Sequence, residues 1–138
     1  MEKSLIVLID DDQQFRVVVS DLLRRQGFGV LEASDGAEGV ALVAGSGPAL
    51  VVTDLHMPVM DGIEVVRAIR ANPATTHVPV LLLTGDRSEE ARAAAEAAGC
   101  DRFLAKPLTI RELLDAVAAA VSGAGVPVSP EGDPGYRG

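Results

Sequence analysis

The stretch Val51-Val52-Thr53-Asp54-Leu55-His56-Met57-Pro58 decides how the rest of the chain is read. The run from Leu50 to Thr53 reads as a buried strand, and it ends on the carboxylate of Asp54. Pro58 cannot donate to a ladder, so the strand pattern stops before it. Asp54 is therefore expected at the carboxyl end of a strand, where open α/β sheets hold their ligands.

Upstream, Leu5 to Ile9 is an unbroken apolar run that reads as a strand buried on both faces, and it runs into Asp10-Asp11-Asp12. Phe15, Val18, Val19, Leu22 and Leu23 then recur at helical spacing until Gly27. Val30 to Ala33 is a short second strand. Asp35 and Glu38 have the spacing of a capping box, opening a helix with Val40 and Val43 on its inner face. Downstream, Asp61 and Glu64 open a helix carrying Ile63, Val66, Ile69 and Arg70, which stops near Asn72-Pro73. Val80 to Thr84 is the fourth strand. Ser88 caps an alanine-rich helix that ends at Gly99. Phe103 to Ala105 is the fifth strand, and Thr109 with Glu112 opens a last helix from Ile110 to Val121.

Five strands alternating with five helices imply a parallel sheet with helices on both faces. Right-handed crossovers then bring every strand's carboxyl end to one rim. Residues 1–121 are expected to form this domain. Residues 122–138, rich in Gly and Pro and without an apolar face, are expected to be a flexible tail.

The net charge of −8 argues against binding nucleic acid through a general basic face. Cys100 is the sole cysteine, so no internal disulfide can form, and it is read as a packed thiol. The apolar run before Asp10 is too short for a signal peptide, and none approaches membrane-spanning length. A soluble, cytoplasmic protein is expected.

The rim collects Asp10 and Asp11 from the first strand, Asp54 from the third, Thr84 from the fourth and Lys106 just after the fifth. Three converging carboxylates repel one another unless a cation lies among them. An all-oxygen set suits a hard ion, Mg²⁺ first, with Mn²⁺ or Ca²⁺ as alternatives. A lysine and a hydroxyl beside that ion make a place for an oxyanion, and phosphoryl is the natural candidate. Asp12 is read as a helix-start residue rather than a ligand. The side chains of His56 and His77 are read as surface groups, and Arg67, Arg70, Arg87 and Arg92 as solvated faces or partner contacts.

In this order, Asp10-Asp11, Asp54 with Met57-Pro58 and Gly62, Thr84-Gly85 and Lys106-Pro107 resemble the receiver domains of bacterial two-component response regulators, in their single-domain, chemotaxis-regulator-like form. The resemblance covers residues 4 to 121. It implies a flavodoxin-like, doubly wound five-stranded sheet in the order 2-1-3-4-5. It implies that a sensor histidine kinase or phosphotransfer protein phosphorylates Asp54. Asp11 would bind Mg²⁺ directly, Asp10 through water, and Asp54 and the backbone carbonyl of His56 would complete the protein ligands. Lys106 would pair with the phosphoryl group, Thr84 would swing toward it, and Phe103 would rotate inward in step. The Lys106–Pro107 bond would be cis.

His56 and Asp86 stand where the family tunes the lifetime of the phosphoaspartate. Asp86 either orients a water or repels the phosphoryl group. Phe103 replaces a frequent Tyr, so its switch would work through packing alone. The protein would promote its own phosphorylation and dephosphorylation without being a conventional enzyme. It would show its activated state to a downstream protein through the face from Ser88 to Val121, as a monomer or weak dimer. A haloacid-dehalogenase-like phosphatase is the enzymatic alternative, but its first-strand Asp-x-Asp-x-Thr/Val motif would need Thr or Val where Gln14 stands. A receiver-shaped adaptor that turns over no phosphate would have lost an acid, the threonine or the lysine, and all are present.

Overall fold

The computed structural model describes residues 3–122. The expected tail from residue 123 onward lies outside the described residues, and Ser122 is the last residue of a helix. Two compact units divide the chain, the first ending at Pro107 and the second beginning at Leu108. The first holds β1 (Leu5–Ile9), α1 (Gln13–Arg25), β2 (Gly29–Ala33), α2 (Gly36–Ser46), β3 (Leu50–Thr53), α3 (Gly62–Ala71), β4 (Val80–Thr84), α4 (Glu89–Ala98) and β5 (Arg102–Ala105). The second holds α5 (Ile110–Ser122).

All five strands are parallel, in the order β2-β1-β3-β4-β5. This is the flavodoxin-like topology, and its order reverses between β1 and β3, the place where such sheets open a ligand cleft. The three inner strands β1, β3 and β4 are buried almost throughout. That is why they read as unbroken apolar runs. On one face, Val7, Ile9, Val51, Val80 and Leu82 pack with Val43 of α2, Val66 and Ile69 of α3 and Ala91 and Ala95 of α4. On the other, Ile6 and Leu8 point toward α1, which buries Val19 and Leu23. Truncating one of the buried isoleucines or leucines among them to alanine costs about 2–5 kcal/mol.

The helix starts follow local chemistry. Asp12 is the N-cap of α1, accepting the N–H groups of Gln14 and Phe15. Asp61 and Glu64 form the reciprocal capping box of α3. Asp35 accepts the Glu38 N–H, but the Glu38 carboxylate turns instead to the N–H of Ser34 at 2.8 Å, so this pair caps α2 without closing a box. Val18, expected on the inner face of α1, is 58% exposed, because the helix presents Val19, Ser20 and Leu23 inward. No helix among the described residues is long and apolar enough to cross a membrane.

Arg70 corrects another expectation. Its side chain is not a solvated face. Nε donates to the Gly99 carbonyl at 3.0 Å, and Nη1 donates to the carbonyls of Thr76 and Val78 at 3.0 and 2.7 Å. Nη2 lies 2.8 Å from Asp101 Oδ2. The same carboxylate oxygen accepts the Val80 N–H at 2.7 Å, extending the β4–β5 pairing below its first backbone rung. One guanidinium thus ties the end of α3 to the entries of β4 and β5. Arg67, Arg87 and Arg92 are exposed.

Candidate functional site

The carboxyl ends of β1 and β3 bring Asp10, Asp11 and Asp54 together. One carboxylate oxygen from each lies within 4.8 Å of the others. Their settings differ. Asp10 is buried, Asp54 is half-buried and Asp11 is exposed. Asp12 lies outside the cluster, because its carboxylate is committed to the helix cap.

Asp10 has one contact on each carboxylate oxygen and one on its backbone carbonyl. Oδ1 accepts the Asp12 N–H at 2.9 Å, and Oδ2 lies 3.3 Å from Lys106 Nζ. Its backbone carbonyl accepts Arg16 Nη1 at 2.6 Å. Burial nevertheless raises its pKa above the usual carboxylate value, and the neighbouring Asp54 charge adds to the rise, while the Asp12 N–H and Lys106 oppose it. This carboxylate lacks enough compensating positive charge. Three oxygen donors of that kind, with no sulfur or ring nitrogen among them, fit a hard divalent cation.

Asp54 sits one residue past β3. Its Oδ1 accepts the N–H of Leu55 at 2.8 Å, and its carbonyl accepts the Thr53 hydroxyl at 3.0 Å. Gly62 explains how α3 can start so close by. A Cβ at this position would come within 2.3 Å of the Asp54 carbonyl oxygen, so only glycine fits. Between them, Pro58, Val59 and Met60 make a γ-turn: the Met60 N–H reaches the Pro58 carbonyl at 2.8 Å, with Val59 at φ +72°. Val59 is fully exposed.

Thr84 ends β4 and is buried, with Oγ1 accepting the Asp86 N–H at 3.2 Å. Lys106 follows β5, its backbone N–H donating to the Thr84 carbonyl at 2.7 Å. The Lys106–Pro107 bond is cis. Lys106 Nζ also lies 4.0 Å from the centroid of the Phe15 ring. Phe103, on β5, is half-buried, and the Arg92 guanidinium covers its ring at 5.1 Å.

His56 and Asp86 meet each other. Nε2 lies 2.7 Å from Asp86 Oδ2, and since a carboxylate only accepts, the ring donates from Nε2. This hydrogen bond, helped by the N–H of Ser88, lowers the Asp86 pKa to about 2. The two positions read separately from the sequence therefore act as one pair spanning the β3–α3 and β4–α4 loops. Two further residues beside the cluster, Phe15 and Arg16, were not expected there. Phe15 carried a helical-core signal. Arg16 stands six residues after Asp10, a spacing that puts it beside the start of its own helix. Its Nε also meets Glu32 at 3.4 Å, and Glu32 meets Arg24 at 3.7 Å.

Comparison with known proteins identifies the family. The chain is 39% identical over 121 residues to a probable chemotaxis protein CheY of Rhizobium etli, covering 86% of this chain and 92% of that one. It is 38% identical to the transcriptional regulatory protein PrrA of Mycobacterium bovis over 83% of its length, which is 48% of that protein. Among solved structures, chemotaxis protein CheY4 of Vibrio cholerae matches with a TM-score of 0.82 at 30% identity, over 86% of this chain and 99% of that one. The family model of the response regulator receiver domain matches residues 6–118, and the chain belongs to that family, the receiver domains of two-component systems.

Proposed function

We propose that this receiver accepts a phosphoryl group on Asp54 from a phosphohistidine of a sensor kinase or phosphotransfer protein. The observation that carries this reading is the cluster of Asp10, Asp11 and Asp54 with Lys106 at its edge. Asp54 is the acceptor because it is the half-buried member just past the middle strand of the sheet, with one oxygen held by the Leu55 N–H and the other left for attack. Asp11 and Asp54, with the backbone carbonyl of His56, would hold Mg²⁺, with Mn²⁺ as a substitute, and Asp10 would hold it through water. When bound, the metal supplies charge neutralisation for the phosphoryl oxygens. Lys106 is a cation of the chain itself whose ammonium reaches the Asp10 carboxylate, and Thr84 supplies a neutral hydroxyl.

The attack of an Asp54 oxygen on phosphorus forms an acyl phosphate as the bond to the donor histidine breaks. Thr84 and Phe103 then carry the change to α4 and β5, which a downstream protein reads. The His56–Asp86 pair stands over the loops that flank Asp54 and sets how readily water reaches the acyl phosphate. The domain is a signalling switch rather than a conventional enzyme.

Acetyl phosphate with Mg²⁺ tests this directly. The intact mass should rise by one phosphate, and Asp54→Asn should abolish the gain. A wild-type mass that stays unchanged would sink the reading.

A further inference from the structure

We propose that Phe15 is a positioning residue for Lys106, holding its ammonium in the cleft by a cation–π contact. This rests on the reading of Asp54 as the phosphoryl acceptor. Among the described residues, Lys106 Nζ has two partners. One is Asp10 Oδ2 at 3.3 Å, which is long for a charge-assisted hydrogen bond. The other is the face of the Phe15 ring at 4.0 Å. The side chain of Lys106 is 25% exposed, so water screens the contact only in part.

The ring's place follows from the loop that presents the acids. Asp12 caps α1 and accepts the Phe15 N–H at 3.2 Å, so Phe15 falls in the first turn, directly after the Asp10–Asp12 run. The chain has three Phe and no Trp, yet one of these few rings is placed against this ammonium.

The chemistry of a ring suits the task better than that of an acid. A fourth carboxylate would add repulsion to a cluster that already holds three, and it would compete with the phosphoryl oxygens for the lysine charge. A ring face attracts the ammonium through its quadrupole and leaves the full charge available. A leucine would fill similar space without that attraction. When the Asp10 carboxylate turns to another cation, the ring still keeps the lysine within the cleft.

The test uses the full-length protein. In wild type, the Lys106 ε-methylene protons should resonate upfield through the ring current of Phe15, with and without Mg²⁺. Phe15→Leu should return them to the ordinary lysine position, and Phe15→Tyr should keep them upfield. Acetyl phosphate loading should slow by about three- to tenfold in Phe15→Leu, the worth of a partly exposed ring–ammonium contact, and recover in Phe15→Tyr. Ordinary Lys106 shifts in wild type would overturn the proposal without any variant having to fold. So would Phe15→Leu loading as fast as wild type. A wild type that shows the ring-current shift but takes no phosphate would instead refute the assignment of Asp54 and leave the contact standing.

Discussion

The two rims of one sheet each carry a cation–aspartate pair, and the pairs are built to opposite ends. At the entry rim, Arg70 spends its donors on three carbonyls and Asp101, and Asp101 in turn accepts the Val80 N–H. At the carboxyl rim, Lys106 has one long contact to Asp10 and a ring to rest on. The forked, planar guanidinium suits a permanent tie, while the ammonium on its flexible stem suits a group that must exchange partners. Saturated polar groups hold the fold at one rim. At the other they are left with capacity to spare, and that capacity is what the proposed metal and phosphoryl group would use.

The sharpest way to break this contrast is Arg70→Ala. It leaves several acceptors without their donor and should cost about 2–3 kcal/mol in urea unfolding. Arg70→Lys should recover only part of it, because an ammonium cannot reproduce the fork. Acetyl phosphate loading of the folded variant should stay at the wild-type rate. A cost within measurement error, or a changed loading rate, would remove the division of labour between the rims.

A pH series on Asp10→Asn sharpens the other side. The raised pKa of Asp10 means that the folded chain holds this proton more tightly than the unfolded chain, whose value is near 3.8. Stability from this group is therefore full below 3.8 and declines as pH rises through the raised value. In EDTA, Asp10→Asn should gain on wild type across that interval and keep a constant advantage above it. Mg²⁺ should stabilise wild type at neutral pH and the variant less. Parallel stability curves for the two proteins would show that Asp10 is already compensated.

The smallest effect belongs to Val59. A β-branched residue at φ +72° is strained, while glycine adopts that conformation freely at some entropic cost. Val59→Gly should gain about 1 kcal/mol of stability in a thermal melt. A loss would mean that the exposed valine contributes something a stability measurement can see.

Much of this was legible in the residues. Period and punctuation place all ten elements, since Leu5–Ile9, Leu50–Thr53 and Val80–Thr84 are doubly buried strands with no competing helical pattern. The acidic cluster follows from where those strands end. What stayed hidden depends on contacts distant in sequence. The partners of Arg70 lie up to 31 residues away, and nothing local separates such an arginine from a solvated one. Phe15 fits the helical period of a core residue, and only the fold shows Lys106 across from it. His56 and Asp86 are 30 residues apart, so their pairing could not be read from either loop alone.

The chain of charges from Arg16 through Glu32 to Arg24 has one more consequence. Glu32 lies on β2, an outer strand, and an outer strand offers unpaired backbone groups to any other extended chain. A carboxylate gripped by two arginines there makes a newcomer bury or break ionic contacts before it can pair. The opposite outer strand, β5, is four residues long and begins with the exposed Arg102. Charged side chains thus stand at both margins of the sheet, a feature that disfavours growth by strand addition.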